Sequence, residues 1–171
     1  LYDFGFGLSY TTFAYSNLEL SAREIRPDES VEVAFDITNT GSRRGDEVVQ
    51  LYVRDCISSI TTYEKLLKGF ERIGLEPGET KRVKMILTPK DLSLLDAAMQ
   101  RVVEPGEFDV LVGASSTDIR LSGRIRVTDG AAAVAVPSAT AEIRFPATVA
   151  RGGEVTLPVR DDLDTGGLTI H

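Results

Sequence analysis

An antiparallel β-sandwich is the fold class this sequence predicts, an all-β body followed by a C-terminal extension, and three observations predict it. Apolar residues recur with a period of two along several short runs. Pro-Gly and other glycine-containing turn signals fall between those runs. Runs with the 3.6-residue period of a helix, at useful length, are absent.

Each element follows from its own residues. Val31, Val33, Phe35 and Ile37 alternate with Glu32, Ala34, Asp36 and Thr38, which predicts a half-buried strand. Asn39-Thr40-Gly41-Ser42 and Arg43-Arg44-Gly45-Asp46 mark the bend after it. Glu47–Arg54 is apolar on both faces, as expected of a strand covered on two sides. Val83, Met85 and Leu87 alternate with Arg82 and Lys84, and Phe108, Val110 and Val112 form another run. Ile119, Leu121, Ile125 and Val127 alternate with Arg120, Ser122, Arg124 and Arg126, the clearest case in the chain. Glu76-Pro77-Gly78-Glu79 and Glu104-Pro105-Gly106-Glu107 both predict type II turns, with proline presetting φ and glycine taking the positive φ that follows. Lys90–Ala98, entered through Thr88-Pro89, has room for a turn or two of helix. Short strands at this spacing predict immunoglobulin-like or fibronectin-like topology over residues 13–128.

Composition narrows the partners. The 171 residues carry 19 Lys and Arg against 26 Asp and Glu, a net charge of −7 that disfavours nucleic acid. No apolar run approaches the ~18–20 residues that span a bilayer, so a membrane is not a predicted partner. One cysteine excludes an internal disulfide framework and a zinc finger. The chain opens on Leu1 with no basic region before an apolar run, and it reads as a piece of something longer. Residues 129–140 (DGAAAVAVPSAT) are rich in small side chains and read as a linker. Beyond it, Ala141–Phe145 and Glu154–Arg160 look like short strands. Residues 141–171 are the start of a second β module, an extension packed on the first domain, or a disordered tail.

The first dozen residues are the most informative. Tyr2, Phe4, Phe6 and Tyr10 are large apolar groups, and Gly5 and Gly7 between them let the backbone approach another surface closely. A phosphate loop would need a strand before the glycines and a helix after them, and neither is present. Residues 1–12 therefore read as a linker whose Tyr2, Phe4, Gly5, Phe6, Gly7 and Tyr10 dock on an upstream domain.

Here the residues match a family. The opening, then Val33–Gly41 (VAFDITNTG), Gly45–Asp55 (GDEVVQLYVRD), Leu67–Arg72 (LKGFER), Leu75–Lys81 (LEPGETK), Leu87–Leu92 (LTPKDL) and Val103–Gly113 (VEPGEFDVLVG) follow one pattern in order. Together they resemble the C-terminal fibronectin type III-like domain of family 3 glycoside hydrolases, the β-glucosidases and β-xylosidases. The resemblance runs from Tyr2 to about Thr128. It departs at Cys56, where the family usually has Pro, and at Thr62-Tyr63, where it usually has Arg-Pro. It implies a parent whose catalytic domains are this domain's intramolecular partner, with the nucleophile and the acid/base residue both upstream. A secreted or periplasmic parent is implied by the resemblance alone.

No catalytic residue, cofactor or metal site is assigned within the chain. Glycoside hydrolysis needs two facing carboxyl groups, whereas the neighbours Asp46 and Glu47 open a strand and point to opposite faces. Asp161-Asp162-Leu163-Asp164 lacks the spacing and glycine of a calcium loop and reads as a solvated turn. His171, the only imidazole, is the last residue, and Cys56 has no evident charge partner. Lys65, Lys68 and Arg72 surround Phe70 as a basic patch, either a polar edge or an interface. Stacking on an oligosaccharide requires an exposed flat aromatic; with no Trp, Tyr63 is the candidate carbohydrate contact. The functional expectation is a non-catalytic brace for the catalytic domains; the alternative is a carbohydrate- or surface-binding module.

Overall fold

The computed structural model describes residues 2–128 and three two-residue strands beyond them, Ala132–Ala133, Val155–Thr156 and Thr169–Ile170. The first body runs to Val136 and a second, small unit begins at Pro137. The first body is β-rich, with strands β1 (Phe13–Leu20), β2 (Glu24–Ile25), β3 (Val31–Asn39), β4 (Gly45–Asp55), β5 (Leu66–Leu75) and β6 (Thr80–Leu87). A single helical turn, α1 (Pro89–Leu92), leads to β7 (Leu94–Leu95), β8 (Arg101–Val103), β9 (Gly106–Gly113), β10 (Ile119–Val127) and β11 (Ala132–Ala133).

Two sheets make the predicted sandwich. One has the order β1-β3-β6 and the other β2-β10-β9-β4-β5. Their ladders are antiparallel except where Arg126 and Val127 of β10 run parallel to Glu24 and Ile25 of β2. The period-two pattern decides which face is buried: Val33, Phe35 and Ile37 of one sheet meet Val49, Leu51, Val110, Val112 and Ile125 of the other in a single core. A small third sheet, β11-β8-β7, forms between Ala132–Ala133, Val102–Val103 and Leu94–Leu95. Its first strand falls within the span read as a linker.

Turn chemistry separates the two Pro-Gly sites. Gly78 has φ +78°, as the type II turn requires, and its amide donates to Asn39 O. Gly106 has no positive φ; it opens β9 instead, so the second turn is a correction. The helical stretch is a single turn, the lower end of what was expected. Pro89 starts it, and the Asp91 carboxylate accepts from the Thr88 amide and hydroxyl. It stops at Leu92, because Leu94 and Leu95 pair with Val102 and Arg101 across a hairpin. That hairpin turns at Met99, at φ 61°, with the Asp96 carboxylate accepting from the Ala98 and Gln100 amides.

In the second unit, β12 (Val155–Thr156) pairs antiparallel with β13 (Thr169–Ile170). Val155–Thr156 lies inside the expected strand Glu154–Arg160. Ala141–Phe145, Asp161-Asp162-Leu163-Asp164 and His171 lie outside the described residues.

Candidate docking surface

The segment before β1 lies on the outer face of the five-stranded sheet, held by its backbone. Phe4 O accepts from Ser116 N at 2.9 Å, and Gly5 O accepts from Gln50 Nε2 at 3.1 Å. Thr117 Oγ1 donates to Asp3 Oδ2 at 2.8 Å, and Phe6 N closes a turn on Asp3 O. Further along, Thr11 Oγ1 donates to Asn39 Oδ1 at 2.7 Å. Gly5 has φ +77°, and a Cβ there would run into the Gln50 amide, so glycine is needed for both the turn and the close approach.

The side chains of this pinned segment face away from the core. Tyr2, Phe4, Leu8 and Tyr10 are 82%, 66%, 91% and 95% exposed, and Phe6 is also exposed. The Tyr2 and Phe6 rings stack, with centroids 5.0 Å apart. Between this segment and the sheet lies a cleft of about 360 Å³ lined by Phe4, Phe6, Val48, Gln50, Leu67 and Phe70 among others. Phe4, Gly5, Phe6 and Gly7 share this cleft; Tyr2 reaches it through its stack on Phe6, and Tyr10 is not among its lining.

The strands supply the rest of the surface. Register puts Val48 opposite Arg72, Gln50 opposite Phe70 and Tyr52 opposite Leu67. A bulge makes the last pairing: Leu51 faces Gly69 and Tyr52 faces Leu67, so Lys68 is skipped. Leu67 thereby joins Phe70 beside the cleft.

Lys68, Phe70 and Arg72 lie on β5, an edge of the five-stranded sheet, as the polar-edge alternative expects, and the cations around Phe70 are engaged separately. Lys68 is half-buried, and burial pulls its ammonium below the usual lysine range, with Asp91 and Arg101 as its charged neighbours. Arg72 gives both Nε and Nη2 to Asp46 Oδ2, at 3.0 and 2.6 Å. Lys65 approaches Glu64 at 3.9 Å. Phe70 stands 69% exposed with its cations engaged elsewhere. Sequence reasoning missed Val48, Leu67 and Gln50. An uncharged polar residue inside an otherwise apolar strand was the available signal for Gln50.

The remaining candidates are dispersed. Asp46 and Glu47 take partners on different strands: Asp46 binds Arg72 of β5, while Tyr15 of β1 donates its hydroxyl to Glu47 Oε1 at 2.6 Å. Burial, then the Glu47 hydrogen bond, pushes the Tyr15 phenol far up, and Arg120 lies 5.5 Å over its ring. Burial and the Asp109 charge push the Cys56 thiol up, which keeps it protonated. Tyr63 is 78% exposed in the loop between β4 and β5, beside a small cavity with Leu66 and Lys68. That loop is tied down where Ser59 N and Oγ donate to the Glu104 carboxylate. Among the described residues no three His, Cys, Asp or Glu groups come together to hold a metal.

A sandwich of these two sheets, entered by a segment strapped across one outer face, is a fibronectin type III-like domain, and residues 47–116 match the model of that domain. The fold is similar to part of β-glucosidase 3B from Thermotoga neapolitana, solved with α-D-glucose: TM-score 0.71 and 39% identity over 78% of this chain and 18% of that one. A β-xylosidase of Formosa agariphila is 51% identical over 116 residues, 68% of this chain and 16% of that protein. The periplasmic β-glucosidase of Salmonella typhimurium is 41% identical over 120 residues, 70% of this chain and 16% of it. The chain thus spans about 16% of the length of these curated relatives. Its body belongs to the fibronectin type III-like domains of family 3 glycoside hydrolases.

Proposed function

We propose that this domain is a non-catalytic brace within a family 3 glycoside hydrolase, and that the whole protein cleaves O-glycosidic bonds in β-glucosides or β-xylosides. One observation carries this reading: a segment whose backbone is fastened to the sandwich presents Tyr2, Phe4, Phe6 and Leu8 outward, next to exposed Val48 and Phe70. Apolar surface of this kind, worth roughly 25 cal/mol per Å² on burial, marks a contact with another body. The short span of the relatives that this chain covers supports a catalytic body elsewhere in the same polypeptide as that partner. Bracing acts on rate through geometry, since a displacement of about 1 Å at a reacting centre can cost ~100-fold.

The test is made in the full-length protein that carries this domain. Phe4→Ser with Phe6→Ser is expected to lower its thermal midpoint and kcat on a nitrophenyl β-glucoside or β-xyloside, while the strand content of the domain stays intact. Unchanged midpoint and kcat would sink the brace. The purified chain alone is expected to turn over neither substrate, and measurable turnover overturns its non-catalytic role.

A second reading, contact with an oligosaccharide, is favoured only by the exposed Tyr63 ring. It predicts retention on insoluble glucan or xylan that Tyr63→Ala abolishes. Equal elution of the two chains removes it.

A further inference from the structure

Gln50 is 4% exposed in the middle of β4, on the face turned away from the core. Its carboxamide is fully engaged. Nε2 donates to Ala114 O at 2.7 Å and to Gly5 O at 3.1 Å, and Oε1 accepts from the Tyr52 hydroxyl at 2.5 Å. An aliphatic side chain would fill the same place among Val48, Leu67 and Phe70. What glutamine adds is a pair of donors aimed at backbone carbonyls, one of them in the entry segment.

From this we infer that Gln50 is a latch, a positioning residue that fixes the entry segment on the sheet with its aromatic rings outward, and that Tyr52 supports the latch. The amide has two ends, and the flipped orientation would set Oε1 against two carbonyl oxygens. The two carbonyls, acceptors only, fix the donor end toward Gly5 and Ala114, and the Tyr52 hydroxyl, by donating to Oε1, secures the other end. Gly5 completes the device: its positive φ turns the carbonyl to the amide, and the missing Cβ leaves room for it. Ser116 N on Phe4 O and Thr117 Oγ1 on Asp3 secure the flank. The rings are thereby ordered before any partner arrives, which lowers the entropy lost on docking. This deepens the brace reading and takes its purpose from it, but the latch is tested on the chain alone. A segment that is loose yet still docks would leave the brace standing and remove the latch.

The experiment measures amide hydrogen exchange at Ser116 and Phe6, and chymotryptic cleavage after Phe4 and Phe6. Gln50→Met keeps the length and loses both donors. Protection at Ser116 and Phe6 is expected to fall roughly tenfold, with faster cleavage, while the Val53 and Val110 amides keep theirs. Tyr52→Phe is expected to move the same two amides by a smaller factor. Gln50→Glu separates the latch from simple packing: ionised, it behaves as Gln50→Met, and when acid protonates the carboxyl it regains a donor and part of the protection. Protection at Ser116 and Phe6 within about twofold of the parent in both Gln50→Met and Tyr52→Phe overturns the inference. If Gln50→Met also exposes Val53 and Val110, Tyr52→Phe and Gly5→Ala decide the matter: loss confined to the segment supports the latch, and unchanged protection refutes it.

Discussion

The outer faces of the two sheets are built on opposite plans. On the three-stranded sheet the charges are paired: Arg82 bridges Asp36 and Glu19, and Lys84 reaches Glu32 at 2.9 Å. Hydrogen bonds from Asn17 and Arg82 hold the Asp36 carboxyl below its usual range. On the five-stranded sheet the β9–β10 end is also charged, with Arg124 on Asp109 and Glu107, but the β4–β5 end offers Val48, Leu67 and Phe70. A face meant for water satisfies itself with its own ions. The other end is left apolar and carries a strapped segment of aromatics, an exposed patch of the kind the proposed docking would cover.

Four changes would break or sharpen that contrast. The largest effect is expected from Tyr52→Ala, because this ring on the outer face is as buried as the core. Removing it should cost about 3–5 kcal/mol in urea unfolding, with Gln50 losing its donor as well. A loss under about 1 kcal/mol would mean that this face is open throughout.

Next is the alkaline limit set by Tyr15, the side chain that joins β1 to β4. Its phenol stays protonated in the folded state above the ordinary value near 10, whereas in the unfolded chain it ionises there. The folded state then holds the extra proton, so stability falls as pH rises past about 10. Urea midpoints at pH 8 and pH 11 should differ less in Tyr15→Phe than in the parent; equal differences would refute the assignment.

A smaller effect is expected from Arg82→Ala, which dissolves the ion cluster on the self-satisfied face. The midpoint should drop modestly at low salt, and the gap should close near 1 M salt, where screening acts within about 3 Å. A gap indifferent to salt would show that Arg82 acts by packing. The smallest belongs to Phe70→Ser in the chain alone, whose stability should stay within about 0.5 kcal/mol of the parent. In the full-length protein the same change should lower the thermal midpoint, so no change in either setting would separate Phe70 from the interface.

Strands with clean alternation were legible in the sequence, as β3 and β10 show, because one face meets the core and the other meets water. β5 was not. Its bulge at Lys68 moves Leu67 to the Phe70 side, and a local reading assigns Phe70 to the lysines beside it rather than to Val48 on the neighbouring strand. The aromatics of the opening were visible as a cluster, but that their backbone is pinned and their rings turned outward depends on Gln50, Ser116 and Thr117, far away in the chain. The turn of helix expected after Thr88-Pro89 forms over Pro89–Leu92, but where it ends was hidden for the same reason, since the partner that pulls Leu94–Leu95 into a hairpin is β8.

The bulge has one more consequence. Among the described residues β5 stands at the border of its sheet, ten residues long and paired along one side only, which is the form of a template for self-association. Skipping Lys68 breaks that ribbon into two shorter lengths and kinks it between them. An interrupted edge of this kind is a poorer template for strand-to-strand pairing between copies than an unbroken one.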